Sequence, residues 1–369
     1  MSFVTHPLAS ITLEQATALQ FRIVDTVTRY FSGSEVLTMG DLGLAAGLNK
    51  PATTQKVEQV FAQVFDAQAA LLVRGSGTGA LRWALAAAIQ PGGTLLVHDA
   101  PLYPTTQVTA QTMGLRVLRA DFNDPQALDR AARQHRDQIA GVLVQQTRQK
   151  IDDSYDFCQV IARLRKLLPG APIITDDNYA ALKVEKIGCQ AGAQLSSFSC
   201  FKILGPEGVG VLLGDRQYID TAAGYQYSGG SQVQGHEAMA ALRGLVYAPV
   251  ALAIQSQVGE ELVRRLNAGE VPGVKGAFLA NAQSKVLLVE LEEDCAEELL
   301  RITPTLGAAA HPVGSESIYE FVPMMYRVSG TFRAQDPTLE KRMVRINPMR
   351  GGPDTIIRIL RQGLEKIGR

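Results

Sequence analysis

Lys202 closes the run Ser197-Phe198-Ser199-Cys200-Phe201-Lys202 and is followed by Ile203-Leu204-Gly205-Pro206-Glu207-Gly208. A lysine in such an apolar pocket loses solvation, its pKa falls, and its neutral amine becomes a nucleophile toward an aldehyde. The plainer alternative is a surface lysine at a turn. Upstream, Gly75-Ser76-Gly77-Thr78-Gly79 follows an apolar run and opens a helical pattern. Small residues there let the backbone approach an anion, and the helix amides and hydroxyls supply donors, so the segment could cup a phosphate. A tight strand-to-helix turn would use the same residues. The segment lacks the Gly-Lys-Ser/Thr of a P-loop and is not a dinucleotide fingerprint.

Two further strand ends add candidates. Tyr103, in Asp99-Ala100-Pro101-Leu102-Tyr103-Pro104, could stack on a planar heterocycle or simply close a loop over the core. Asp176 and Asp177, in Thr175-Asp176-Asp177-Asn178-Tyr179, are two adjacent carboxylates that are expensive to bury without a cationic partner. One could face a protonated pyridine nitrogen while the other caps a helix. Other residues are weaker. His98 and Asp99 lack a serine nucleophile motif. His6, His135, His236 and His311 have no metal spacing, Cys200 is most simply a core residue, and Trp83 packs within an apolar helix.

The elements that must hold these residues alternate. Apolar strand-like runs at Ala69–Val73, Thr94–His98, Leu115–Ala120, Ile139–Val144 and Pro172–Thr175 are each followed or flanked by helical spacing. That rhythm predicts α/β architecture, a mainly parallel sheet covered on both faces. Ligands in such a sheet sit at the carboxyl ends of the strands, where these candidates fall. Leu195–Phe201 and Gly208–Leu213 are too close for a crossover helix and should pair as an antiparallel hairpin or lie adjacent at the sheet edge. Helical spacing is also read over Gln15–Phe31, Lys56–Phe65 and Gln234–Leu266. From Val271 onward strands and helices alternate on a smaller scale.

The 369 residues and 46% hydrophobic content suit a large domain plus a smaller one. The expected division is an N-terminal segment 1–55 with a glycine-rich stretch, a large domain 56–250 and a small C-terminal α/β domain 251–369. Thirty-six basic and thirty-six acidic residues balance, which argues against bulk attraction to nucleic acid or an anionic membrane. No uninterrupted apolar run reaches the roughly 18 residues of a membrane span. Met1 to Ser10 does not resemble a secretory signal, and Cys158, Cys189, Cys200 and Cys295 form no C-x-x-C pair. A cytoplasmic location and no metal are the expectations.

Together the chemistry-bearing segments resemble the fold-type-I enzymes dependent on pyridoxal 5'-phosphate (PLP). Ser-Gly-Thr opening a helix, an aromatic after the next strand, a strand-end Asp and then Ser-x-x-Lys occur in that family's order. Asp176 with Tyr179 looks like the D-x-x-Y of aminotransferases, and Lys202–Gly208 is similar to the lysine turn of class V aminotransferases. The nearest resemblance is to the YhfS family of predicted aminotransferases. It rests on Gly40–Leu44, His98–Thr106, Thr175–Ala180, Phe198–Lys202 and Tyr227–Gln232 and spans nearly the whole chain. Weaker echoes of methionine gamma-lyase-like proteins lie in Val144–Arg148 and Arg243–Pro249.

The resemblance implies a seven-stranded type of sheet and residue roles. Lys202 would carry PLP as a Schiff base and move the proton at the substrate's Cα. Asp176 would pair with the pyridinium nitrogen, although the lyase pattern of Asp followed by Asn favours Asp177. Tyr103 would stack on the ring. Ser76, Gly77, Thr78 and Ser199 would bind the phosphate, and Gln146 would reach the cofactor's 3'-oxygen. In relatives an arginine near the C-terminus clamps the substrate carboxylate; Arg345 in Val344-Arg345-Ile346-Asn347-Pro348 is the choice, and Arg350 the second. A surface ion pair is the alternative for either. The implied activity is an aminotransferase acting on an amino acid or related primary amine. A β- or γ-eliminating lyase uses the same residues, and a binding protein without turnover or a nucleotide-binding protein remain alternatives of other classes. Relatives place such sites at a homodimer interface, for which Tyr225, Tyr227, Ser228-Gly229-Gly230-Ser231 and Gly40–Gly43 are candidates.

Overall fold

A computed structural model describes residues 4–147, 150–281, 285–312, 314 and 316–368. Arg148, the last residue of the lyase-like Val144–Arg148 echo, lies outside the described residues. The chain divides into two compact units: Glu14–Thr147 with Tyr155–Pro249, and Met1–Leu13 with Arg148–Ser154 and Val250–Arg369.

The larger unit is built on seven strands: β1 (Ala69–Arg74), β2 (Thr94–His98), β3 (Arg116–Ala120), β4 (Ile139–Gln145), β5 (Ile173–Asp176), β6 (Leu195–Ser199) and β7 (Val209–Gly214). Their order is β1-β7-β6-β5-β4-β2-β3. β2 to β6 run parallel, and β7 runs antiparallel to both β6 and β1. The expected β6–β7 pairing is therefore present, with β7 between β6 and β1. Successive residues face opposite layers. Ile174 packs with Leu81 and Leu85 of the helix Ser76–Ala88, while Ile173 packs with Ile161 and Leu164 of the helix Phe157–Leu167. Burial on both faces explains why these strands read as continuous apolar runs.

The helix Ala52–Val64 starts four residues earlier than its apolar spacing predicts. Asp41 caps it from a distance: its Oδ2 and Oδ1 accept the N–H groups of Ala52 at 2.7 Å and Thr53 at 2.9 Å. Such a cap satisfies amides that the helix itself cannot. Gly40 beside it has φ +80°, and a Cβ there would come within 2.7 Å of the Gly235 backbone. The same segment is anchored by Lys50, whose Nζ lies 2.7 Å from Oε2 of the nearly buried Glu58. Glu58 Oε1 also accepts the Leu72 N–H at 2.9 Å. Lys50→Met would strand that carboxylate, and the expected loss is about 3–5 kcal/mol of unfolding free energy. Urea denaturation measures it; a loss below about 1 kcal/mol would mean the pair is not structural.

The smaller unit contains β8 (Val274–Ala280), β9 (Val286–Leu291), β10 (Met324–Arg327) and β11 (Met343–Asn347), in the order β10-β11-β9-β8. Every pairing is antiparallel, so the small-scale alternation expected from sequence does not produce parallel strands. The connection from Ala280 to Val286 is too short for a crossover, which permits only the antiparallel arrangement. One face packs Leu287, Val289, Val344 and Ile346 against the helices Ala296–Ile302 and Pro353–Lys366. The 33-residue helix Gly235–Asn267 belongs to both units, and the division falls at its Pro249. Its length and hydropathy would suffice to cross a membrane, but 56% of its most apolar window is buried inside the protein, as in a core helix.

Candidate functional site

Lys202 does not end a strand. β6 stops at Ser199, and residues 200–202 form one 3₁₀ turn. The Ser199 hydroxyl accepts the Phe201 N–H at 3.2 Å, which turns the chain out of the sheet. Lys202 Nζ then donates to the Tyr179 hydroxyl at 2.6 Å and lies 4.2 Å from that ring's centroid. Tyr179 itself has φ +65°, and Leu204 just beyond the lysine has φ +58°. Bulky residues adopt that conformation only where surrounding contacts enforce it, commonly at functional sites.

The Gly75–Gly79 turn lies against the same strand. Ser76 Oγ is 2.9 Å from Ser199 Oγ. Gly75 (φ +94°) and Ser76 (φ +59°) aim their N–H groups at the Gly208 carbonyl, at 2.8 and 3.1 Å. The amides of Gly77 and Thr78 fall in the first turn of the helix, where no intrahelical acceptor exists. Thr78 Oγ1 is 3.0 Å from Thr105 Oγ1, in the helix Pro104–Thr112 whose N-cap is Tyr103. The Tyr103 ring is 54% exposed, so it can receive a flat partner.

The two aspartates separate. Asp177 is fully buried; its Oδ2 accepts the Thr175 hydroxyl at 2.6 Å and its Oδ1 the Gly188 N–H at 3.2 Å. Burial pushes its carboxyl up to about 7. Asp176 points to the other side. Its Oδ1 accepts the Asn178 N–H at 3.1 Å and Nδ2 at 2.8 Å, and its Oδ2 has no hydrogen bond among the described residues. Burial pushes Asp176 up as well, while the Asn178 bonds and the nearby Lys202 charge pull it down. Of the two, Asp176 is the one that feels the Lys202 charge, while Asp177 is held by Thr175 and Gly188.

Asp177 carries a pH prediction. Its folded pKa lies above its unfolded value, so the folded state binds the extra proton between about pH 4 and 7. Its contribution to stability is complete below the unfolded pKa and is lost as pH rises through the folded one. Asp177→Asn should remove a slope of about 1.4 kcal/mol per pH unit across that window. Denaturation midpoints at several pH values test this; identical slopes in both proteins would refute it.

Gln146 meets Asp176 through the backbone, its N–H donating to the Asp176 carbonyl at 3.0 Å. Its side-chain Nε2 donates one of its two N–H groups to the Lys186 carbonyl at 2.8 Å. Tyr179 and Asn178, not chosen as site residues from sequence, occupy the centre instead. The D-x-x-Y spacing was the available signal for Tyr179; Asn178 had none. In the smaller unit, Arg345 is half-buried with its guanidinium carbon 4.0 Å from the Tyr326 ring centroid. Its buried Nε has no hydrogen-bond partner among the described residues. Arg350 is committed: Nη1 donates to the Ala251 carbonyl at 2.7 Å.

Comparison with known proteins gives a consistent result. Residues 13–244 match the class-V aminotransferase family, and residues 260–360 match the YhfS-like C-terminal domain. The chain is 52% identical over 363 residues to the Escherichia coli (strain K12) protein YhfS, covering 98% of this chain and 99% of that one. It is similar to the crystal structure of the pyridoxal-5'-phosphate-dependent protein YhfS from E. coli, with a TM-score of 0.95 over 98% of this chain and 99% of that one. A Micromonospora echinospora cystathionine gamma lyase shares the fold at 19% identity and a TM-score of 0.67, with 86% and 87% coverage. A putative cystathionine beta-lyase from Clostridium acetobutylicum, involved in aluminum resistance, shares it at 15% identity and 0.72, with 96% and 90% coverage.

Proposed function

We propose, since the chain belongs to the class-V aminotransferase family and carries a YhfS-like C-terminal domain, that it is a PLP-dependent aminotransferase of an amino acid or related primary amine. The observation that carries this is the Lys202 amine held on Tyr179, with its charge acting on the strand-end Asp176 and the paired Ser76 and Ser199 hydroxyls on the strand just before it.

The residues fit the group. A phosphate would be held by the Gly77 and Thr78 amides, the Ser76, Thr78 and Ser199 hydroxyls and the positive end of a 13-residue helix. Asp176 Oδ2 is a buried acceptor suited to a protonated ring nitrogen. The exposed Tyr103 ring offers a stacking face. When bound, the cofactor supplies an aldehyde carbon conjugated to an electron-accepting ring. Lys202 Nζ would hold the cofactor at that aldehyde carbon and, once the substrate's amine has displaced it, would be free to take the proton from the substrate's Cα and return it at a neighbouring carbon. Asp176, whose ionised form the Asn178 bonds and the Lys202 charge favour against burial, would pair with a protonated ring nitrogen. In the smaller unit, Arg345 has a guanidinium fork of the kind that matches a carboxylate, and its Nε–H has no hydrogen-bond partner among the described residues.

The test is a panel of amino donors with a ketoacid acceptor and added cofactor. Amino-group exchange without net ammonia release supports an aminotransferase. Ketoacid and ammonia formed without an acceptor would instead assign an eliminating lyase.

We also propose that the chain acts as a homodimer. Leu37, Met39, Leu42, Leu44 and Tyr227 are all exposed, and the Tyr227 carbonyl accepts Asn49 Nδ2 at 3.0 Å. A monomer rarely leaves so much neighbouring apolar surface in water. A monomeric sedimentation coefficient at micromolar concentration would refute it.

A further inference from the structure

Asn178 touches every part of the Lys202 site's rear wall. Its backbone N–H and its Nδ2 both donate to Asp176 Oδ1, at 3.1 and 2.8 Å. Its Oδ1 accepts the Ser199 N–H at 3.0 Å. Its carbonyl accepts the hydroxyl of the buried Thr147 at 3.2 Å. Its amide also fills the space where Gly77 has no side chain: a Cβ there would lie 2.6 Å from both Nδ2 and Oδ1. Only one orientation of the amide satisfies these partners. The reverse would set the carbonyl against a carboxylate and the NH₂ against an N–H.

We infer that Asn178 is the positioning residue that aims Asp176. Two donors on Oδ1 immobilise the carboxylate and leave Oδ2 as the oxygen available to a ring nitrogen. The same side chain holds the Ser199 end of β6 and packs on Gly77, so the acid at one end of the site and the anion cup at the other share one amide. Donors on a carboxylate also favour its ionised form against burial. This deepens the PLP reading and rests on it. Asn178 touches Asp176 rather than the reacting atoms, so its effect should appear as altered recognition of the ring nitrogen.

The experiment measures dissociation constants of two probes on the cofactor-free, full-length protein by equilibrium dialysis. One probe is PLP; the other is its analogue with CH in place of the ring nitrogen. Wild type should prefer PLP by about tenfold or more, the size of a buried charge-assisted hydrogen bond. Asn178→Asp keeps the acceptor for Ser199 but turns an acceptor toward Asp176. It should shrink the preference to within about threefold while changing affinity for the analogue by less than about threefold, both well below the wild-type difference. Asn178→Leu removes both side-chain bonds and should do the same if it folds; Asn178→Asp decides if it does not. Parallel loss of both affinities, with the preference kept, would make Asn178 a packing residue and overturn the inference. Unchanged constants would overturn it too, as would equal binding of both probes by wild type. Wild type that binds neither probe refutes the cofactor reading instead.

Discussion

Lys202→Ala should leave a folded protein that no longer retains PLP through gel filtration and whose turnover falls by at least about 10⁴-fold. On the proposed reading the amine is both the attachment point and the proton carrier, and no neighbouring group would replace it. Tyr179, its hydrogen-bond partner, lacks an amine. Lys183 has a buried amine, but it lies 5.8 Å from the Tyr179 ring centroid, against 4.2 Å for Lys202. The fold should tolerate the change. Lys202 sits in one 3₁₀ turn at intermediate burial, and losing its bond to Tyr179 costs about 1 kcal/mol. Absorbance after incubation with PLP checks the attachment: wild type should show a visible band distinct from free cofactor, and the variant should not. A variant that kept the band would place the attachment elsewhere.

Asp176→Ala should lower kcat by about 10²–10³-fold, the usual penalty for removing one preorganised electrostatic partner. The physical reason is that a ring nitrogen without a buried anion beside it loses its proton and accepts electrons poorly. Asp177→Ala is the control. Asp177 is one residue away and carries the same carboxyl group, but it is bound to Thr175 and Gly188. It should change stability far more than kcat, because neither of its oxygens is directed at Lys202. Steady-state kinetics on both variants, with unfolding midpoints measured in parallel, separate the two effects. Equal losses of kcat in the two would contradict the assignment of Asp176.

Much of this site was legible along the chain because its parts sit at strand ends. Alternating apolar runs and helical spacing placed Gly75–Gly79, Tyr103, Asp176 and Lys202 at the carboxyl edge of one sheet, and the strands fall within a residue or two of those runs. The cap of the helix Ala52–Val64 was not legible. Asp41 lies eleven residues before Ala52, and no local pattern links an aspartate to amides that far away. Gln146 was chosen by its place after β4, but a place after a strand does not say which acceptor a carboxamide finds; here that is the Lys186 carbonyl.

Lys202 and its order of companions were therefore determined by sequence alone: an anion turn, a stacking aromatic, a strand-end acid, then an amine. Tertiary structure decided the different partners of two neighbouring aspartates and brought Tyr179 to Lys202 and Asn178 to Asp176. Adjacent residues at a strand end point to opposite faces, so the sequence requires Asp176 and Asp177 to differ without saying which is which. The packing of Thr175 and Gly188 around Asp177 supplies the answer, and the +65° φ at Tyr179 swings its hydroxyl onto Lys202. Both depend on which partner a side chain meets once the strands and turns have packed, which periodicity and composition do not encode.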